Sequence, residues 1–252
     1  MDCSNEKSEK DKMIDFLKKS IQKAKFEPKI LGFCINNNYL IRRELNSQIK
    51  KNALNATGIL LDFGCGTKPY QKYFTNVSRY IGIDLKIEGW EHRQDTVDFF
   101  YDGKTIPFED NYFDTMLCTE VLEHVFNIEE LLSEFQRVLK RNGTALITTP
   151  FMWEEHEMPH DFGRYTTPAL IYLYEKYGFE IVSHHKTGNN IKVIAQFSIN
   201  YVKSLLPANK ILKQILLVPF IIYFNFVGSI FGFLLPGDKS VYFNNVFVLR
   251  KK

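Results

Sequence analysis

Cysteine is scarce in this chain and badly placed for structural chemistry. The four thiols, Cys3, Cys34, Cys65 and Cys118, stand far apart with no paired spacing. That fits neither a disulfide framework nor a zinc site, and it points to a reducing compartment. An excess of one charge is lacking too: 32 Lys plus Arg face 29 Asp plus Glu, a net +3 over 252 residues. So slight a surplus does not make a nucleic-acid binder. The opening stretch, MDCSNEKSEKDKMIDFLKK, has no apolar signal-peptide core, so secretion is not expected. No internal repeat or low-complexity linker is present. What remains is a globular composition, 45% hydrophobic and 24% charged, long enough for one large α/β domain or two small ones with a sizeable core.

Residues 1–35 form a charged lead-in, with Ile14, Leu17, Lys18 and Ile21 at helical spacing and Pro28 closing it. A second helix is predicted over 37–53. From there to Pro150, short apolar runs alternate with helical patterns: GILLDF, RYIGIDL, TVDFFYD, FDTMLCTE and GTALITTP. Between the last two, IEELLSEFQRVLKR (128–141) carries a 3.6-residue apolar stripe through 128, 131, 132, 135, 138 and 139. Continuous rather than alternating apolar strands, separated by helices, predict a mainly parallel sheet covered on both faces. A helix over 166–177 and strands over 178–185 and at the C-terminus complete the pattern. The main domain is read as 36–252, with an apolar helical insertion over about 189–240.

The most informative stretch is Leu60-Leu61-Asp62-Phe63-Gly64-Cys65-Gly66-Thr67. A strand runs straight into a Gly-x-Gly turn, where a ligand can approach bare backbone. About 20 residues after Gly64, Asp84 ends the next strand, where a carboxylate can accept from both ribose hydroxyls of a nucleoside. Pro69 stands where a dinucleotide fingerprint would have its third glycine.

Over roughly residues 36–188 the chain resembles class I S-adenosylmethionine-dependent methyltransferases. LLDFGCGTKPY is similar to the family's first motif and YIGIDL to its acidic second-strand motif. DGKTIPFEDNYFDTMLCTEVLEHV and LLSEFQRVLKRNGTALITTP follow in the family's order. The resemblance implies a Rossmann-like, doubly wound, seven-stranded sheet whose last strand is antiparallel. It also implies S-adenosylmethionine as cofactor and S-adenosylhomocysteine as product. Gly64, Cys65 and Gly66 would then hold the methionyl end, with Asp62 pairing with its ammonium directly or through water. Asp84 and Leu85 would take the ribose, and Asp102 with Gly103 the adenine. Thr119 and Glu120 would line the crevice near the sulfonium. The alternative for Asp62 and Asp102 is simple turn formation.

Methyl transfer is a displacement on an already activated methyl, so positioning dominates. A base is required only for an acceptor that holds its proton at neutral pH. The candidates cluster after the fifth strand, where α/β enzymes bind ligands. His160, His156 and Asp161 are the candidate catalytic groups, and Arg164 and Tyr165 the candidate acceptor contacts. The competing role is structural, with His160 and Asp161 ordering the loop and Arg164 pairing with a carboxylate. His124 is read as structural. His156 and His160 have a helical metal spacing, but Pro159 between them marks a loop, and no metal site is expected.

PHDFGRYT and YGFEIV also resemble methyltransferases found with polysaccharide and glycolipid biosynthesis enzymes. An exocyclic base amine as acceptor is disfavoured because Cys118-Thr119-Glu120-Val121 replaces the Asn/Asp-Pro-Pro-aromatic motif. A pyrimidine carbon is disfavoured because it requires a thiolate beside the acceptor. A small, saccharide or lipid-linked acceptor is left, with no nucleic acid expected.

Residues 215–236 carry no charge, long enough for a membrane span. A single crossing would strand the last β-strand on the wrong side. Pro219, Gly228, Gly232 and Pro236 are expected to break the run into bent helices lying on a membrane surface, with Phe220, Ile221, Phe224 and Phe231 facing lipid. Lys203, Lys210, Lys213, Lys239 and Arg250-Lys251-Lys252 flank it for anionic headgroups. The expected location is cytoplasmic, peripheral on the inner membrane face. A hydrophobic lid over a soluble small-molecule substrate or a homodimer interface is the alternative, and the alternative to an enzyme is a catalytically inactive, cofactor-binding partner subunit.

Overall fold

The computed structural model describes residues 29–85 and 96–252; the lead-in helix expected around 14–21 and Cys3 lie outside them. The chain divides into two compact units. One comprises Ser47–Asn190 with Asp238–Lys252; the other comprises Ile191–Gly237 with 29–46.

The first unit is built on seven strands: β1 (Gly58–Phe63), β2 (Val77–Leu85), β3 (Phe99–Tyr101), β4 (Phe113–Thr119), β5 (Leu139–Pro150), β6 (Phe179–Lys186) and β7 (Asn244–Lys251). Their order is β3-β2-β1-β4-β5-β7-β6. The first five run parallel and β7 lies antiparallel to both its neighbours. This is the mainly parallel sheet with an antiparallel last strand that the sequence predicts. Leu60, Leu61 and Phe63 of β1, Met116 to Cys118 of β4 and Ala145 to Ile147 of β5 are all buried, which is why these runs are continuously apolar. The order reverses between β1 and β4, so the carboxyl ends of those strands open a crevice.

Four helices complete the pattern up to β6. α1 (Ile30–Ile35) and α2 (Tyr39–Ala53) precede the sheet, α3 (Ile128–Val138) enters β5, and α4 (Thr167–Lys176) enters β6. α3 buries the expected stripe of Ile128, Leu131, Leu132, Phe135 and Val138. Phe135 meets Phe63 edge-to-face at 4.9 Å, a contact whose loss by truncation to Ala costs about 3–5 kcal/mol. The helix stops three residues short of the predicted 141. The carbonyls of Arg137 and Val138 accept from the amides of Asn111 and Tyr112, and Leu139 pairs with Phe113. The segment entering β4 therefore takes the helix's last acceptors, and the chain turns into strand.

In the second unit, α5 (Asn190–Leu205) and α6 (Lys210–Leu234) fill the insertion. α6 is one continuous helix of 25 residues through Pro219, Gly228 and Gly232, which corrects the expectation of broken pieces. Its glycines serve packing rather than bending. A Cβ at Gly228 would lie 2.6 Å from Leu40 and 2.9 Å from Ala195, and one at Gly232 would meet Lys192. Side-chain amides bind the exposed carbonyls of α1: Asn225 donates to Phe33 at 2.8 Å and Gln214 to Ile35 at 3.1 Å. The helix stops where the Leu235 amide caps Phe231, just before Pro236.

Candidate active site

The Gly-x-Gly turn sits where β1 leaves the sheet. The amides of Gly64 and Cys65 both donate to the Ile83 carbonyl, at 2.9 and 3.0 Å, so the turn folds onto β2. Gly64 has φ +69° and Gly66 φ +50°, the left-handed region that glycine enters without cost. The two glycines serve different ends. A Cβ on Gly64 would strike Val121 at 2.4 Å, whereas one on Gly66 would meet nothing within 4 Å among the described residues. Open space over bare backbone at Gly66 is a cradle suited to a ligand's amino-acid end.

Asp84 closes this cradle. Its Oδ2 accepts from the Gly66 amide at 2.9 Å and its Oδ1 from the Leu85 amide at 2.8 Å. A carboxylate fixed at the strand end beside the turn matches the position a ribose diol requires. Asp62, below, is buried and accepts from the Tyr80 hydroxyl at 2.6 Å. Burial raises its carboxyl to about 7, against the lowering influence of Tyr80 and Lys68. Asp102 and Gly103 form the turn after β3. The Asp102 Oδ1 accepts from the amides of Lys104 and Thr105 at 2.8 and 2.9 Å, and a Cβ on Gly103 would lie 3.3 Å from Leu85. Asp102 thus shapes its turn, and the turn borders the ribose end of the crevice.

Thr119 ends β4 in register with Thr148. Glu120, at φ +54°, bends back into the sheet: its carboxylate accepts from Thr148 at 2.7 Å and from Asn244 at 2.6 Å. Three supporting residues escaped the sequence reading. Tyr80 partners Asp62, while Lys68 and Asp98 pair at 2.6 Å with Asp98 also accepting from the Gly82 amide. A Cβ at Gly82 would collide with Lys68 and Cys65. The glycine in YIGIDL was the available signal, because it makes room beneath the turn. Cys65 and Cys118 are buried, and burial pushes both thiols up; neither is poised as a thiolate nucleophile.

The loop after β5 is drawn together by Asp161. It accepts from the His156 amide at 2.9 Å and from both terminal nitrogens of Arg164, at 2.5 and 2.8 Å. The Arg164 guanidinium holds the Asp161 carboxyl far below the usual carboxylate range. A carboxylate so engaged orders its loop and does not take a proton at neutral pH. Arg164 further donates to the carbonyls of Gly163 and Glu154, which makes it a clamp within the loop. His160 keeps its ring exposed, 6.2 Å from the Phe162 ring, while its carbonyl meets His124 Nδ1 at 2.7 Å. Tyr165 is partly buried on the sheet's core, and its carbonyl accepts from Asn245. His156 Nδ1 lies 3.2 Å from Asp161 Oδ2, whereas the His160 residue is exposed.

Comparisons with known proteins agree with this geometry. A family described as a methyltransferase domain matches residues 61–147. An uncharacterized protein of Methanocaldococcus jannaschii is 30% identical over 152 residues, 57% of this chain and 64% of that protein. The ubiquinone biosynthesis O-methyltransferase of Rickettsia akari is 30% identical over 98 residues, 36% of this chain and 39% of that enzyme. These matches span less than two thirds of either relative. Among solved structures, Haemonchus contortus phosphoethanolamine N-methyltransferase 2 in complex with S-adenosyl-L-methionine superposes with a TM-score of 0.54 at 16% identity. That match covers 82% of this chain and 52% of that one, and at such identity it speaks for the fold alone. The matched family, the strand order and the Gly64–Gly66 cradle closed by Asp84 together identify a class I, S-adenosylmethionine-dependent methyltransferase domain in this chain.

Proposed function

We propose that this protein transfers the methyl group of S-adenosylmethionine to a small, saccharide or lipid-linked acceptor at the cytoplasmic face of a membrane. The observation that carries the transfer reaction is the open cradle at Gly66, with Asp84 bonded to its amide. When bound, the cofactor supplies an electrophilic methyl on a sulfonium. The chain's own residues bind and orient: Gly66 leaves room for the methionyl end, Asp84 takes the ribose diol, and Asp62 answers the ammonium. For an oxygen acceptor, His160 receives the hydroxyl proton as the methyl arrives. Support for an oxygen acceptor comes from the O-methyltransferase among the relatives, and support for a lipid-linked one from the exposed apolar surface of α6.

Calorimetry with S-adenosylhomocysteine tests the cofactor half. Binding is expected, and Asp84→Ala is expected to weaken it by about tenfold or more, because charge-assisted hydrogen bonds to the ribose are lost. Binding of NADH in place of S-adenosylhomocysteine would refute the reading. Labelled donor incubated with lipid and saccharide extracts identifies the acceptor class. His160→Ala separates chemistry from binding, since turnover should fall far more than donor affinity.

A further inference from the structure

Outside the cofactor cradle, one group of side chains has an unmet electrostatic demand. Glu123 lies in the single turn Leu122–His124 that follows β4, and it is fully buried. Neither of its carboxyl oxygens has a hydrogen-bond partner among the described residues. A buried carboxyl group left without a partner is a costly arrangement for a fold to hold. Its backbone is fixed as well, since the Glu123 carbonyl accepts from the amides of Phe162 and Gly163 at 2.7 and 3.2 Å. The carboxylate is therefore held at one spot between the turn after β4 and the loop after β5.

Two imidazoles meet it there. His124 Nδ1 lies 2.7 Å from the His160 carbonyl, which can only accept, so Nδ1 is the donor there and Nε2 is the ring nitrogen left to meet a ligand. That Nε2 stands 3.8 Å from Glu123 Oε1. The His156 ring stands edge-to-face with His124 at 4.9 Å between centroids, and Asp161 fixes the His156 backbone. One ligand atom from each of Glu123, His124 and His156 falls within 4.8 Å of the others. Arg164 brings a positive charge nearby, but Asp161 already pairs with it.

We propose that Glu123, His124 and His156 bind a divalent first-row transition ion, with Zn2+ as the best match. Two imidazole nitrogens and one carboxylate oxygen are the donor set such ions take, whereas Mg2+ and Ca2+ demand oxygen ligands. Ligands at about 2.1 Å around a tetrahedral ion stand about 3.4 Å apart, so the trio closes by roughly an ångström on binding. Glu157, whose Oε2 is 3.9 Å from His124 Nε2, is placed to supply a fourth donor. The ion would cross-link the turn after β4 to the loop after β5. This departs from the sequence reading, which paired His156 with His160 and expected no metal. The site does not depend on methyl transfer.

The test uses the full chain after chelator treatment. Zn2+ followed by calorimetry, and Co2+ followed by visible absorption, should each bind at one ion per chain, while Mg2+ should not compete. Zn2+ should raise the Tm of the wild type. His124→Asn, His156→Asn and the near-isosteric Glu123→Gln should each weaken Zn2+ binding by about 100-fold or more, with circular dichroism showing that each variant is folded. His160→Asn, which removes the other half of the sequence pair, should leave affinity within about twofold. S-adenosylhomocysteine binding measured on the same samples keeps this result separate from the cofactor reading. Absence of stoichiometric binding at millimolar Zn2+, or binding retained by the histidine variants or by Glu123→Gln, would overturn the site.

Discussion

At the scale of single residues, the glycine turn shows how one motif holds two unrelated requirements. Gly64 is bare because Val121 occupies the space a Cβ would need, whereas no described residue lies within 4 Å of where a Cβ on Gly66 would stand. The sequence shows two equivalent glycines; only the packing separates the one that serves the fold from the one that serves the ligand. Asp62 carries a similar double demand. With its carboxyl raised to about 7 by burial, it is mostly neutral below that pH and mostly ionised above it when no ligand is bound. A group whose folded pKa is raised contributes stability below its unfolded value that is lost as pH rises through the folded one. Asp62→Asn should therefore raise the Tm at pH 8 by roughly 5 °C or more in the absence of ligand, with little change near pH 4. Binding should respond in the opposite sense. A cationic ammonium selects the ionised carboxylate, so wild-type affinity for S-adenosylhomocysteine should climb between pH 6 and 8, and the Asn variant should bind weakly with that pH dependence removed. Thermal melts and titrations across this range check both halves, and a pH-independent wild type would remove Asp62 from the ammonium site.

At the scale of elements, the strands were legible because burial on both faces leaves an unbroken apolar signature, as in GILLDF and GTALITTP. Their order around the cradle followed from motifs spaced along the chain. The end of α3 was not legible. Leu139 continues the helical stripe by pattern, but the amides of Asn111 and Tyr112, close to 30 positions upstream, take the last helical carbonyls. A pattern read within one window cannot register that capture. The same applies to Tyr80 with Asp62 and to Glu120 with Asn244, contacts between positions that only the sheet brings together. The loop after β5 was legible as a cluster of chemistry-bearing residues, though not in its division of labour. Asp161 is the acceptor on which the loop closes. A carboxyl held below its ordinary range contributes stability present above the unfolded pKa and lost as pH falls toward the folded one. Asp161→Asn should lower the Tm at pH 7 by roughly 5–10 °C, since one partner of a buried pair is left unanswered. The gap between variant and wild type should narrow as pH falls below about 4. Equal melting of the two at pH 7 would show that the Arg164 clamp contributes nothing.

At the scale of the whole molecule, the apolar insertion is the feature that a cofactor-binding sheet does not explain. Both its ends belong to the sheet. The amide of Thr187 donates to the Asn244 carbonyl, and that of Phe243 to the Thr187 carbonyl, so chain that leaves after β6 returns beside it to form β7. One membrane crossing by α6 would separate strands that are hydrogen-bonded to each other, and α5, at 16 residues, is short for a return span. α6 has the length and hydropathy of a span with only 28% of its most apolar stretch buried, which supports a helix lying in the interface. The side chains available for that contact match those the sequence suggested at Phe220 and Phe231 and depart from them at Ile221 and Phe224. Ile221 is fully buried in a cluster with Ile199 and Leu217, against which Phe224 packs, whereas Phe220, Tyr223, Phe226, Phe231 and Phe233 are exposed. The protein should sediment with anionic vesicles, and high salt should release only part of it, because lysine attraction is screened while apolar burial is not. Combined Phe220→Ser, Tyr223→Ser and Phe226→Ser substitutions should free it from vesicles with S-adenosylhomocysteine binding unchanged. Ile221→Ser should instead unfold the helical unit, by at least about 2–3 kcal/mol from lost burial and an unpaired hydroxyl. If the triple variant loses acceptor turnover while the wild type never meets vesicles, the surface is a lid over substrate. If the wild type dissociates on dilution with no vesicle binding, α6 faces a second copy of the chain, and the membrane reading fails.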